Sequence, residues 1–116
     1  AIEFFQVGDE LLVNEMAPRV HNSGHWTIEG AETSQFENHI RAILDWPLGS
    51  TALRGHAVML NLIGDLPDSK KILAQPHAHL HLYGKDERPG RKVEHITICA
   101  ENEAEVNACI EAIGAV

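Results

Sequence analysis

The chain has 116 residues, of which 44% are hydrophobic and 22% charged, so it is ordinary globular material of one domain's length or two small pieces. Its formal net charge of −8 argues against nucleic acid and anionic membrane as main partners, because both need lysine and arginine. Cys99 and Cys109 have no metal-ligand spacing, which fits a reducing cytoplasm, and no apolar run approaches the roughly 20 residues of a membrane span.

Two apolar runs, residues 2–7 and 10–15, flank the pair Gly8-Asp9 and predict a β-hairpin. In that hairpin Glu3 and Glu15 would lie close together at the same end. Facing carboxylates repel each other unless a cation lies between them, and magnesium binds one or two carboxylates together with waters and substrate phosphates. The alternative for this pair is two solvated edge-strand residues that bind nothing.

The loop over residues 16–24 concentrates polar side chains after Pro18, which ends the strand because it has no N–H to donate. The guanidinium of Arg19 suits an oxyanion, since it donates two parallel hydrogen bonds, although a surface ion pair is the alternative. His21 can donate a hydrogen bond or a proton near neutral pH, and a structural histidine fits the pattern equally well. A metal beside anion-binding side chains indicates phosphoryl transfer or activation of an acid.

The next elements are predicted to be helices. Residues 25–31 form a short helix with Ser23 as its N-cap, and Thr33 or Ser34 caps a second helix that Pro47 ends. Beyond a boundary near residue 50, strands are predicted over residues 56–64, 77–84 and 91–100. A helical turn covers residues 70–74, and an amphipathic helix covers 101–114. The strand over 56–64 is apolar on both faces, which predicts a central position in its sheet.

Two polar patterns lie in this second half. His77, His79 and His81 alternate along one strand, as in a zinc site or in a polar face that packs against another lobe. The only basic cluster of this acidic chain follows and includes Lys85, Arg88, Arg91 and Lys92. That cluster suits a phosphate monoester, and a solvated hairpin loop is the alternative.

Two strings, NEMAPRVHNSGHWTIEGAETSQFENHIRAIL and HLHLYGKDERPGRKVEHIT, closely resemble the carboxy-terminal part of the 5-(carboxyamino)imidazole ribonucleotide synthases, a purine-biosynthesis family of the ATP-grasp superfamily. The resemblance implies an α+β fold in which residues 1–50 are the C-terminal part of an ATP-grasp domain. Residues 51–116 would form a small β-rich carboxy-terminal domain with a terminal helix. It also implies a cytoplasmic, dimeric, ATP-dependent ligase that carboxylates 5-aminoimidazole ribonucleotide with bicarbonate through carboxyphosphate.

The resemblance assigns roles residue by residue. Glu3 and Glu15 match the carboxylates that bind Mg²⁺, and Asn14 with Glu15 supports the ATP-bound metal. Ala17 stands where many ATP-grasp enzymes have asparagine, so no third protein ligand is assigned. The residues that match the bicarbonate and carboxyphosphate pocket are Arg19, His21 and Asn22. Those that match the site of the ribonucleotide 5′-phosphate are Lys85 and Arg91, with Arg88 beside them.

No glycine-rich phosphate loop with lysine occurs in the sequence, and residue 1 opens directly on a strand. We therefore expect a piece of a longer enzyme that has no turnover alone and needs the nucleotide-clamping half of its own polypeptide as partner. One alternative is a non-enzymatic metal-binding or interaction module that uses the His77/His79/His81 face. Another is a different ATP-grasp carboxylase, such as a biotin carboxylase, against which the RPGRK loop argues.

Overall fold

The computed structural model of this chain describes residues 1–63, 68–84 and 92–114, which form the predicted α+β fold. Strands β1 (Ile2–Val7) and β2 (Glu10–Met16) make an antiparallel hairpin. Gly8 in its two-residue turn has φ 62°, a left-handed value that a residue without Cβ adopts readily. The predicted hairpin is confirmed, and so is the pairing of Glu3 with Glu15.

Both faces of the hairpin are apolar and exposed. The fractional exposure of its large apolar side chains runs from 46% to 75%, and they are Ile2, Phe4, Phe5, Val7, Leu11, Leu12, Val13 and Met16. A two-stranded hairpin is marginally stable in water by itself, and a continuous exposed apolar patch usually marks an interaction surface. The hairpin is therefore built to be covered on both sides.

Three short helical segments follow the hairpin: a 3₁₀ helix (Asn22–Gly24), α1 (Thr27–Gly30) and α2 (Gln35–Ile43). Ser34 caps α2, because its hydroxyl accepts the N–H of Glu37 at 3.2 Å, as predicted. The predicted cap at Ser23 is wrong, since Ser23 lies inside the 3₁₀ helix and α1 begins only at Thr27. Helix α2 also ends before Pro47, because Asp45 takes a left-handed φ of 55°.

The second half is a three-stranded antiparallel sheet of β3 (His56–Ile63), β4 (Ala78–Leu82) and β5 (Lys92–Ala100), in the order β3-β5-β4. The prediction that residues 56–64 form the central strand is wrong, because β5 lies between the other two. Sequence alternation hid this: β5 carries Glu94, His95 and Thr97, which are all buried polar residues. One face of the sheet packs on helices α3 (Ser69–Leu73) and α4 (Glu103–Ile113), and the other packs on α1.

The core lies between the sheet and α3 and α4. Ile96 and Ile98 of β5 are completely buried, and each contributes about 1.5–3 kcal/mol of hydrophobic stabilisation. The other buried members are Leu62, Ile72, Ala78, Ala100, Val106, Cys109 and Ile113. The amphipathic pattern of residues 101–114 predicts Ala104 on the inward face of α4, and this is wrong because Ala104 is exposed. None of the helices described reaches the length and apolarity needed to cross a membrane; α4 has 11 residues.

The chain between the two halves folds back on the first. The N–H of Glu32 donates to the carbonyl of Ala52 at 2.9 Å, and the N–H of Arg54 donates to the carbonyl of Gly30 at 2.8 Å. These bonds hold residues 52–54 alongside α1 just before β3 begins. The domain boundary near residue 50 stays a prediction.

Candidate functional site

A β-bulge shapes the carboxylate end of the hairpin. Glu3 pairs with Glu15, but the next residue of β1, Phe4, pairs with Val13, so Asn14 is the extra residue of β2. A bulge sets two residues against one and re-aims a side chain that strict alternation would turn to the other face. The Asn14 amide accordingly donates to Glu3 Oε1 at 2.5 Å. Strict alternation would turn Asn14 away from Glu3, and the bulge is the reason that the two side chains meet.

His21 closes this end of the hairpin. Its Nε2 lies 3.2 Å from Glu15 Oε1 and 3.9 Å from Glu3 Oε2. Its Nδ1 accepts the backbone N–H of Ser23 at 3.3 Å and is 2.8 Å from the Ser23 hydroxyl. Because Nδ1 is an acceptor, the proton of the neutral imidazole belongs on Nε2, facing the carboxylates. The three side chains, which we call the carboxylate cluster (Glu3, Glu15 and His21), thus converge on one point.

The carboxylate cluster fits a magnesium ion that is shared with a ligand. Glu3 and Glu15 are partly exposed, at 38% and 48%, so waters and ligand oxygens can complete an octahedral shell. Within residues 1–63, 68–84 and 92–114, no three His, Cys, Asp or Glu residues are grouped to hold a metal by themselves. Two carboxylates suit magnesium, which binds one or two carboxylates together with waters and the phosphate oxygens of a ligand.

The other two predicted catalytic residues do not touch the carboxylates. Arg19 is exposed, and its Nη1 donates to the carbonyl of Val20 at 3.0 Å. It lines a cavity of about 420 Å³ together with Val20 and Trp26. The Asn22 amide donates instead to Asn61 Oδ1 on β3 at 3.2 Å. The structure thus brings His21 to the carboxylates, Arg19 to a neighbouring cavity and Asn22 to the sheet.

A row of polar residues joins the segment 22–29 to the three-stranded sheet. Asn61, His95 and His81 are register neighbours across β3, β5 and β4. Each of them contacts one residue of the segment 22–29. Asn22 bonds to Asn61, the His25 ring lies 5.5 Å from the His95 ring, and Glu29 Oε1 lies 2.8 Å from His81 Nε2. The rings of His81 and His95 stack at 4.2 Å with an interplanar angle of 5°. We call these six residues the polar row.

Sequence reasoning missed most of the polar row. The signal was present, since residues 22, 25 and 29 recur at the spacing of one helical face, but their partners lie on three separate strands. The prediction that three histidines share one strand is wrong for His77, which lies in the turn before β4. Within β4, His81 bonds to Glu29, whereas His79 is exposed opposite Thr97. His77, His79 and His81 form no metal-holding group within the part of the chain that the structure describes. The substrate-phosphate residues Lys85, Arg88 and Arg91 lie outside the described residues.

The polar row also alters a nearby thiol. Burial raises the pKa of Cys99, the negative charge of Glu29 raises it further, and Arg54 opposes this by lowering it. The Cys99 thiol donates to the carbonyl of Arg54 at 3.1 Å. Burial also raises the pKa of Tyr83, whose hydroxyl bonds to His95 Nδ1. Cys99 is therefore a protonated hydrogen-bond donor rather than a nucleophile.

Comparison with known proteins gives consistent matches. Residues 1–36 match the ATP-grasp domain family, and residues 57–109 match the phosphoribosylaminoimidazole carboxylase C-terminal domain family. N5-carboxyaminoimidazole ribonucleotide synthase of Pseudomonas aeruginosa is 56% identical over 97% of this chain and 33% of its own length. The enzyme of the same name from Escherichia coli is 48% identical over 97% of the chain and 32% of its own length. The chain thus spans about a third of the length of these relatives.

Solved structures agree with the sequence matches. N5-carboxyaminoimidazole ribonucleotide synthetase from Thermus thermophilus matches with a TM-score of 0.92 and 61% identity, over 97% of this chain and 31% of that one. An Aspergillus clavatus N5-carboxyaminoimidazole synthase, in complex with ADP and 5-aminoimidazole ribonucleotide, matches with a TM-score of 0.86 and 42% identity, over 97% and 33%. At these identities the likeness covers sequence as well as fold.

Proposed function

We propose that this chain, which belongs to the N5-carboxyaminoimidazole ribonucleotide synthase family, is part of an ATP-dependent ligase that carboxylates 5-aminoimidazole ribonucleotide with bicarbonate. The observation that carries the proposal is the carboxylate cluster, in which Glu3, Glu15 and His21 converge at the end of a bulged hairpin. The Pseudomonas aeruginosa and Escherichia coli relatives carry this enzyme name. The biotin carboxylase alternative gains no support from them.

Glu3 and Glu15 are the residues that would hold Mg²⁺ against the phosphates of ATP, with the Asn14 amide fixing one oxygen of Glu3. The metal would neutralise negative charge on the phosphate oxygens during phosphoryl transfer. The Nε2–H of His21 points to the same place and can donate a hydrogen bond to an anionic oxygen there. This arrangement supports transfer of a phosphoryl group to bicarbonate next to the hairpin.

The short-lived carboxyphosphate needs fixed donors and exclusion of water. Arg19, beside its cavity, supplies a guanidinium that can bind the two oxyanion ends of such a molecule. Asn22 holds the loop to β3 through Asn61, which supports a positioning role for it. Lys85, Arg88 and Arg91 remain the proposed partners of the 5′-phosphate of the ribonucleotide.

The exposed hairpin supports a partner within the same enzyme. Its apolar side chains lie on both faces, and the relatives are about three times as long as this chain. We assign those faces to the remaining part of the ATP-grasp domain, which would also bind the adenine. The proposal includes a cytoplasmic location and a homodimer, and the two free cysteines are in keeping with the former.

The test uses a chimeric enzyme, in which this chain replaces the matched third of the Pseudomonas aeruginosa relative. We expect ADP formation that requires both bicarbonate and 5-aminoimidazole ribonucleotide. Substitution Glu15→Gln should reduce kcat by about 100-fold or more, because a metal carboxylate is lost. The matched control is Glu10→Gln at the turn end of the same strand, where Glu10 pairs with Val7, and it should keep full activity. An active chimera that tolerates Glu15→Gln as well as Glu10→Gln contradicts the assignment.

A zinc-binding module on His77, His79 and His81 gains no support from the structure, since His81 is engaged by Glu29. A zinc titration of the chimera with His79→Ala as control tests this alternative separately. Tight zinc binding that is lost in the variant, together with no carboxylation, would favour it.

A further inference from the structure

Gln35, the first residue of α2, holds both backbone groups of His21. Its Oε1 accepts the His21 N–H at 3.0 Å, and its Nε2 donates to the His21 carbonyl at 2.7 Å. The same Nε2 lies 2.7 Å from His25 Nδ1, so both amide hydrogens are used. A single side chain thus fixes the residue whose imidazole faces Glu15 and Glu3.

The neighbours of Gln35 hold its amide in place. Its own backbone N–H donates to the Thr27 hydroxyl at 2.9 Å, and that hydroxyl donates to the carbonyl of Gly24 at 2.5 Å. Gly24 leaves room for the amide: a Cβ at this position would lie 2.6 Å from Gln35 Oε1 and 2.7 Å from its Cδ. The 3₁₀ helix, α1 and α2 therefore meet at this one amide.

We propose that Gln35 is a positioning residue for the reaction, acting through His21, an inference that rests on the proposed function. The carboxylate cluster needs the His21 imidazole within hydrogen-bond distance of Glu15, and the ring can be there only if the backbone of His21 is fixed. A displacement of about 1 Å at such a site can reduce the rate about 100-fold. Gln35 touches neither Glu3 nor Glu15, so it acts on the carboxylate cluster through His21 and His25, and it also lines the cavity beside Arg19.

Helix α2 also provides the control. The Ser34 hydroxyl, next to Gln35 in the chain, caps this helix by accepting the Glu37 N–H at 3.2 Å. Ser34→Ala and Gln35→Leu each remove one stabilising contact from the start of the same helix. They differ in whether the contact leads to His21.

In the chimeric enzyme we expect Gln35→Leu to lower kcat by about 10- to 100-fold while KM for ATP stays within about twofold. Gly24→Ala should act in the same direction, since its methyl displaces the Gln35 amide. Ser34→Ala should lower Tm, because the helix loses its cap, and leave kcat within about twofold of the parent. Equal loss of kcat in Ser34→Ala and Gln35→Leu would show a merely structural role and overturn the proposal.

A second readout needs no turnover. Nitrogen-15 spectra of the histidine rings should show His21 as the Nε2–H tautomer in the parent and in Ser34→Ala, and as a tautomer mixture in Gln35→Leu. A His21 tautomer that is unchanged in Gln35→Leu overturns the inference. A parent chimera that is folded but inactive would contradict the proposed function. In that case the ring spectra still decide whether Gln35 fixes His21, so the two failures are distinguishable.

Discussion

The bond between Glu29 and His81 ties helix α1 to the edge strand β4, and a double-mutant cycle can measure it. The two side chains are only 14% and 26% exposed, and their atoms lie 2.8 Å apart. Removing one partner leaves the other poorly solvated, which costs about 1–3 kcal/mol. Removing both costs little more than removing one, because neither polar group is then left buried without its partner.

We therefore expect Glu29→Leu and His81→Leu each to destabilise the chain by about 1–3 kcal/mol, with a coupling energy of about 1–2 kcal/mol between them. With a urea m-value of about 1.5 kcal/mol/M, each single change lowers the midpoint of unfolding by roughly 0.7–2 M. The assay is urea unfolding followed by tryptophan fluorescence for the parent, the two single variants and the double variant.

A surface pair gives the reference value for this cycle. Glu37 and Arg41 are one helical turn apart on α2 and are 53% and 34% exposed, so their coupling should be about 0.3–0.5 kcal/mol. A coupling energy for Glu29–His81 that is no larger than that for Glu37–Arg41 would refute the claim that the polar row holds α1 to the sheet.

Single substitutions at three other positions test the thiol, a turn and the core. Cys99 should react slowly with iodoacetamide at pH 8, because burial and then the charge of Glu29 raise the pKa of its thiol. Glu29→Gln removes that charge and lowers the pKa, so alkylation of Cys99 should be faster in the variant. Peptide mass spectrometry measures the extent of alkylation. Gly55→Ala should lower Tm strongly, because Gly55 has φ +64° and an added Cβ would lie 2.3 Å from the carbonyl oxygen of Ala100. An unchanged Tm in thermal unfolding would contradict this close approach of the two backbone segments. Ile96→Ala should cost about 2–5 kcal/mol in urea unfolding, because this side chain is fully buried; a loss under 1 kcal/mol would mean that the core is misplaced.

The sequence was sufficient wherever a local rule decides the structure. Alternating apolar residues around Gly8-Asp9 predicted the hairpin and the pairing of Glu3 with Glu15. Thr33 and Ser34 were the two predicted caps of α2, and the structure confirms Ser34, since serine before a helix offers an oxygen to a free N–H. These features depend on residues that are close in the chain or joined by a two-residue turn.

The features that sequence could not supply depend on distant contacts. The bulge at Asn14 follows from how two strands meet, and no residue in either strand indicates it. The central position of β5 was hidden, because His95 and Thr97 are polar residues that are buried by the loop and the neighbouring strands. The side chain of Gln35 acts on His21, 14 residues earlier, and its sequence position at the start of a helix suggests only solvent exposure.

The central claim is that Glu3 and Glu15 together bind a divalent cation with nucleotide phosphates. Manganese in place of magnesium makes this binding visible by electron paramagnetic resonance of the chimeric enzyme with ADP. We expect bound manganese in the parent and in Glu10→Gln, and its loss in the double variant Glu3→Gln/Glu15→Gln. Manganese–ADP binding that survives intact in the double variant would contradict the account.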